Sequence, residues 1–134
     1  MTMNPAVARR VVAIVEDNPD NRVLVQAILE SRFRVEPYHS GQDAVLGCHE
    51  APPDLILLDI SLPGMDGTQV LRALRADPAL AGVPIVALTA DAMLGAREMY
   101  LAMGFDDYIA KPIVQAQDLR DVVERLIRSR AAAH

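Results

Sequence analysis

An α/β domain with a parallel sheet covered by helices on both faces is predicted by three observations. Short apolar runs alternate with stretches of helical periodicity along the chain. The strongest runs, Val11 to Val15, Leu55 to Leu58 and Pro84 to Leu88, lack the in-and-out alternation of a half-exposed strand, so they belong to strands buried on both faces. The third observation is positional: the acidic pair Glu16 and Asp17, then Asp59, then Thr89 stand at the ends of those runs, and Lys111 ends a weaker one.

The elements follow in order. Val11 to Val15 is the first strand. Asn18 is placed to cap the next helix and Pro19 to open it, because a first-turn residue has no intrahelical use for an N–H; Leu24, Ala27 and Ile28 then share a face. Phe33 to Tyr38 is a weaker strand, followed by a helix capped by Ser40 and carrying Ala44, Val45 and Cys48. Pro52 and Pro53 punctuate the chain before the strand Leu55 to Leu58. Leu62-Pro63-Gly64 is a turn, and Asp66 caps a helix through Val70, Leu71 and Leu74 that ends near Asp77-Pro78. After Pro84 to Leu88, a helix from Ala92 to Met103 stops at Gly104, which tolerates the left-handed backbone of a helix end. Asp107 to Ala110 is the last strand. Leu119, Val122, Val123, Leu126 and Ile127 form the apolar stripe of a final helix.

A chain of 134 residues, 51% hydrophobic and 23% charged, is expected to form one domain over residues 1–134 with its core between Arg10 and Arg128. Its apolar runs fall far short of the roughly 20 residues that cross a bilayer, and its start lacks a secretory apolar segment, so a cytoplasmic protein is expected. A net charge of −5 argues against a nucleic-acid partner. Cys48 is the only cysteine and is read as a reduced structural thiol, while His39, His49 and His134 show no metal-ligand spacing.

The chemistry is carried by a coincidence. Lys111, followed by Pro112, is the one lysine among 13 Lys and Arg residues, which points to a site that needs a compact ammonium rather than a forked guanidinium, with a phosphoryl group as the matching anion. Ligands of open parallel sheets bind at the carboxyl ends of the strands, so Glu16, Asp17, Asp59, Thr89 and Lys111 converge on one pocket. Taken singly, each has an ordinary structural reading as a cap, helix start or loop residue. Those readings give no reason for three carboxylates at one sheet edge, where mutual repulsion raises a pKa unless a cation intervenes. A hard divalent ion with oxygen ligands, Mg²⁺, is the natural neutraliser.

Five stretches together resemble the receiver domain of bacterial two-component response regulators over roughly Arg10 to Arg128: Val-Glu-Asp-Asn at Val15 to Asn18, Pro-Asp-Leu-Ile-Leu-Leu-Asp at Pro53 to Asp59, Leu-Pro-Gly-Met-Asp-Gly at Leu62 to Gly67, Ala-Leu-Thr-Ala at Ala87 to Ala90, and Asp-Tyr-Ile-Ala-Lys-Pro at Asp107 to Pro112. The resemblance implies a five-stranded sheet of order 2-1-3-4-5. It makes Asp59 the phosphoacceptor, with Asp17 and Asp59 binding Mg²⁺ directly, Ser61 offering its backbone carbonyl and Glu16 acting through water. Lys111 would pair with a phosphoryl oxygen, Thr89 would hydrogen-bond the phosphoryl group, and Tyr108 would be the aromatic switch that turns inward in response. The Lys111–Pro112 bond is expected to be cis. Ser61 and Asp91 stand where the family tunes hydrolysis of the acyl phosphate.

The implied partners are a sensor histidine kinase or histidine phosphotransfer protein and a downstream target. The target face is Ala92–Met103, Asp107–Ala110 and Gln117–Arg128, where this chain offers Met93, Leu94, Met99, Tyr100 and Tyr108, about half of them with an equal reading as core. A stand-alone signalling receiver, not an enzyme, is expected, slowly losing its own phosphoryl group. The alternative is a receiver excised from a hybrid histidine kinase or larger regulator, suggested by Ala-Leu-Thr-Ala-Asp-Ala-Met at Ala87 to Met93. A flavin module would need a Ser-, Thr- and Gly-rich loop after Val15, and an aspartyl phosphatase would need Asp where Ser61 stands.

Overall fold

The computed structural model describes residues 9–62, 64, 66–90 and 93–132, the last two as backbone. Strands β1 (Arg10–Val15), β2 (Phe33–Tyr38), β3 (Leu55–Asp59), β4 (Ile85–Thr89) and β5 (Asp107–Ala110) alternate with helices α1 (Pro19–Leu29), α2 (Gly41–Glu50), α3 (Gly67–Arg75), α4 (Ala96–Met103) and α5 (Ala116–Ala132). The strands form one parallel sheet of order β2-β1-β3-β4-β5, in register from Val12 opposite Leu55 through Asp59 opposite Leu88 to Thr89 opposite Ala110.

Alternate residues of the buried strands feed two cores. Val12, Ile14, Leu55, Leu57, Val86 and Leu88 pack with Val25, Ile28 and Leu29 of α1 and Leu119, Val123 and Ile127 of α5. Ala13, Val15, Ile56, Leu58, Ile85 and Ala87 pack on the other face with α2, α3 and α4. This is the two-sided cover that unbroken apolar strands require.

Local chemistry sets the helix starts. Asn18 Oδ1 accepts the N–H groups of Asp20 and Asn21 at 2.8 and 3.2 Å ahead of Pro19. Asp66 and Gln69 close a reciprocal capping box on α3. At Gly67 a Cβ would lie 2.6 Å from the Ile60 Cα, so only glycine lets α3 begin this close to the end of β3.

Several boundaries differ from the sequence reading. Strand β3 extends one residue and β4 shifts by one, starting at Ile85, so that Asp59 and Thr89 are ladder residues. The buried face of α1 is Val25, Ile28 and Leu29, with Leu24 40% exposed: two apolar triads of identical spacing compete, and the sheet takes the bulkier one. Helix α4 does not reach back to Ala92, which lies outside the described residues. It starts at Ala96 because Gly95 is left-handed (φ +88°), a conformation that a right-handed helix cannot contain. Helix α3 ends at Arg75 because Asp77 caps a separate 3₁₀ turn, Pro78–Leu80. Helix α5 runs past Arg128 to Ala132.

Candidate functional site

The carboxyl ends of β1, β3, β4 and β5 gather the residues singled out in the sequence. Backbone hydrogen bonds fix their heights: Glu16 N–H donates to the Tyr38 carbonyl at 3.0 Å, Ile60 N–H to Leu88 at 3.0 Å, and Lys111 N–H to Thr89 at 2.7 Å. Asp59 and Glu16 are buried, Asp17 is exposed, and one carboxylate oxygen of each lies within 4.8 Å of the others. Glu16 directly follows β1 and lies inside, and Asp17, at the bend that comes next, lies at the rim.

Lys111 Nζ lies 3.0 Å from Asp59 Oδ2 and 3.5 Å from Glu16 Oε1. Asp59 Oδ1 accepts the Ser61 N–H at 2.9 Å. Glu16 accepts from Asn21 Nδ2 at 3.2 Å and from the Asn18 N–H at 3.3 Å. Arg22 donates to the carbonyls of Glu16 and Asp17 at 2.7 and 3.0 Å, tying the acidic turn to α1. Asn18 reads in the sequence as a helix cap and as the end of the Val15–Asn18 stretch, and Asn21 and Arg22 are not singled out there.

Two buried carboxylates, Glu16 and Asp59, face one ammonium, and their proton affinities diverge as a result. Burial, reinforced by the hydrogen bond and negative charge of Asp59, pushes Glu16 up to about 7; the Asn18 N–H and Lys111 pull it down less. Burial alone would raise Asp59, but the proton it shares with Glu16, the Ser61 N–H and Lys111 hold it below the ordinary aspartate range. Burial would lower Lys111, yet its bonds to Asp59 and Glu16 keep it raised, so it stays charged. The donor set is all oxygen, anionic and open at Asp17, which fits a hard divalent cation and not a soft one.

Thr89, at the end of β4, is buried, and its hydroxyl lies 2.8 Å from the phenol oxygen of Tyr100 in α4. Tyr100 is a core residue, not part of an exposed face: its ring meets Phe105 edge-on at 6.0 Å and Tyr108 at 5.6 Å. Tyr108 is half-buried, Ser61 is exposed, Lys111–Pro112 is cis, and Asp91 lies outside the described residues. Met93, Leu94 and Met99 are exposed, on and just before α4. On the same side, Asp107 is buried and held by Arg97 at 2.7 Å and by Arg125. Cys48 is buried and its thiol is pushed up to about 12 by burial. His39 is exposed, His49 sits 2.7 Å from Asp77, and His134 lies outside the described residues.

Residues 12–124 match the response regulator receiver domain family. The chain belongs to that family. Receivers are signalling modules, and this one is 42% identical over 110 residues to the sensor protein GacS of Pseudomonas syringae pv. syringae, a match covering 79% of this chain and 12% of GacS. It is 41% identical over 103 residues to the polar-differentiation response regulator DivK of Brucella ovis, covering 76% and 84% of the two chains. The crystal structure of the receiver domain of sensor histidine kinase PA1611 from Pseudomonas aeruginosa PAO1 superposes with a TM-score of 0.80 at 39% identity over 90% of this chain and 98% of that one; it has a magnesium ion coordinated in its active site cleft. This receiver thus spans about a tenth of the length of sensor kinases such as GacS and BarA of Escherichia coli, 12% and 11%. No helix among the described residues is long and apolar enough to cross a membrane.

Proposed function

We propose that this receiver takes a phosphoryl group from a histidine kinase or histidine phosphotransfer protein onto Asp59 and thereby changes its binding surface. The observation that carries the reading is the buried Asp59 carboxylate, held by Lys111 at 3.0 Å and facing two further carboxylates. An Asp59 oxygen attacks the phosphorus of a phosphohistidine, the P–N bond breaks, the imidazole leaves with its electron pair, and an acyl phosphate forms. Lys111 holds a phosphoryl oxygen through charge build-up. Asp17 and Asp59 hold Mg²⁺ directly, with the Ser61 carbonyl, and Glu16 does so through water; the ion, when bound, neutralises phosphoryl charge.

Thr89 receives the phosphoryl group by hydrogen bond, Tyr108 is the ring that responds, and Ser61 and Asp91 tune how long the acyl phosphate lasts. Residues 10–128 form the core of one receiver domain that works in the cytoplasm, catalysing its own phosphorylation from small donors and its own slow dephosphorylation. Its downstream target is a protein that docks on α4, β5 and α5. The identity to GacS and BarA, 42% and 43%, favours a second reading, a receiver that works as part of a hybrid histidine kinase. With Mg²⁺ and acetyl phosphate, intact mass is expected to rise by one phosphoryl group, and Asp59→Asn to abolish the gain. Equal labelling of that variant would refute Asp59 as acceptor.

A further inference from the structure

Helix α4 has one large hold on the core. Of its residues Ala96–Met103, only Ala96 and Tyr100 are buried, and its start at Gly95 has no side-chain cap. Tyr100 therefore fixes where α4 sits. Its hydroxyl is bonded to Thr89 at 2.8 Å, inside the protein and one strand away from Asp59. Its ring is wedged between Phe105 and Tyr108, at 6.0 and 5.6 Å. We propose that Tyr100 is the positioning residue through which an event at Thr89 reaches α4, with Tyr108 following as its ring neighbour; this rests on Asp59 being the phosphoacceptor.

The argument is one of proton count and packing. A threonine hydroxyl has one proton to donate and two lone pairs. When Thr89 commits that proton to a phosphoryl oxygen, it can keep Tyr100 only as an acceptor, with the phenol donating. Thr89 then draws Tyr100 along, or the two part and a buried phenol loses that bond. Neither leaves the ring where it was, and dense packing against Phe105 and Tyr108 does not let it slide alone. The movement passes into a short helix with little else in the core, and Met93, Leu94 and Met99 are carried with it. Their exposure, 72%, 105% and 44%, makes them the surface a partner would sense.

The test uses the full chain, labelled with ¹⁵N, with beryllofluoride and Mg²⁺ as the probe. Tyr100→Phe removes only the phenol oxygen and keeps the ring. Both proteins are expected to bind the probe with equal affinity and to show equal amide shifts at Asp59 and Ser61. In Tyr100→Phe most of the shift response of Ala96 to Met103 is expected to be lost. Tyr108→Phe, which leaves the Thr89–Tyr100 bond in place, is expected to keep the full α4 response. A full α4 response in Tyr100→Phe, or an equal loss in Tyr108→Phe, overturns the assignment. If the unsubstituted protein fails to bind the probe, the acceptor reading itself falls and takes this inference with it.

Discussion

Strand β3 carries a carboxylate at each end, and the two ends solve opposite problems. At the amino end, Asp54 accepts the Val11 N–H at 2.7 Å and faces Arg10 at 3.5 Å and Arg130 at 3.8 Å, so one anion meets two guanidiniums. At the carboxyl end, Asp59 and Glu16 share one ammonium, that of Lys111, and the Asp17 carboxylate lies within 4.8 Å of both. Asp107 resembles the first case, with Arg97 and Arg125 around it. A surplus of cations marks these framework sites, and a surplus of carboxylates marks the end where the proposed function has a cation and a phosphoryl group received. Arginine serves the first purpose because its fork satisfies carboxylates at fixed angles, and lysine serves the second because its ammonium is compact.

The largest effect that would break this contrast is on metal binding. Asp17→Ala removes an exposed carboxylate that no strand packing needs, so the fold is expected to persist while Mg²⁺ affinity falls about 100-fold, at the upper end of what even indirect ligand losses cost. Calorimetric titration measures it. Unchanged affinity would reduce the acidic pair to a helix start and leave the surplus of carboxylates without a purpose.

A smaller effect, in pH, sharpens the contrast. Glu16 titrates near 7 in the metal-free fold against 4.5 for an ordinary glutamate. Because the folded pKa is raised, its contribution to stability is complete below pH 4.5 and is lost as pH rises through about 7. Mg²⁺ competes with the same proton, so apparent affinity is expected to rise about tenfold from pH 6 to pH 8, with proton release on binding. Glu16→Gln should flatten that profile. A flat profile in the unsubstituted protein would show that Glu16 and Asp59 do not share a proton.

Features set by neighbours along the chain were legible in the sequence, and features set by neighbours across it were not. The buried strands follow from their own unbroken apolar runs, and the starts of α1 and α3 from Asn18 and Asp66, because a cap acts within a few residues. The convergence of Glu16, Asp17, Asp59, Thr89 and Lys111 was legible because sheet topology places strand ends together. Periodicity could not choose between Leu24 and Val25 as the inward edge of α1, since both triads repeat alike. Tyr100 could not be told apart from the surface residues grouped with it because its partner, Thr89, is eleven residues away on another element, and nothing in local spacing joins them. The two arginines on Asp107 stand ten and eighteen residues from it, for the same reason.

The smallest expected effect is at the framework end. Asp54→Ala removes the acceptor of the Val11 N–H and the counter-charge of Arg10 and Arg130. Asp54 and both arginines reach solvent, at 26%, 54% and 29% side-chain exposure, so water can replace much of what is lost and the ion pairs are worth little. The Asp54 N–H to Val11 carbonyl bond, 2.8 Å, remains and keeps β1 and β3 in register. The loss is therefore expected to be about 1 kcal/mol, the net worth of one hydrogen bond, seen as a lower urea midpoint with an unchanged slope. Phosphorylation at Asp59 and Mg²⁺ affinity are expected to stay the same, because the substitution lies at the opposite end of β3. If Asp54→Ala alters either of them, the two ends are coupled along the strand and charge balance alone does not separate framework from function.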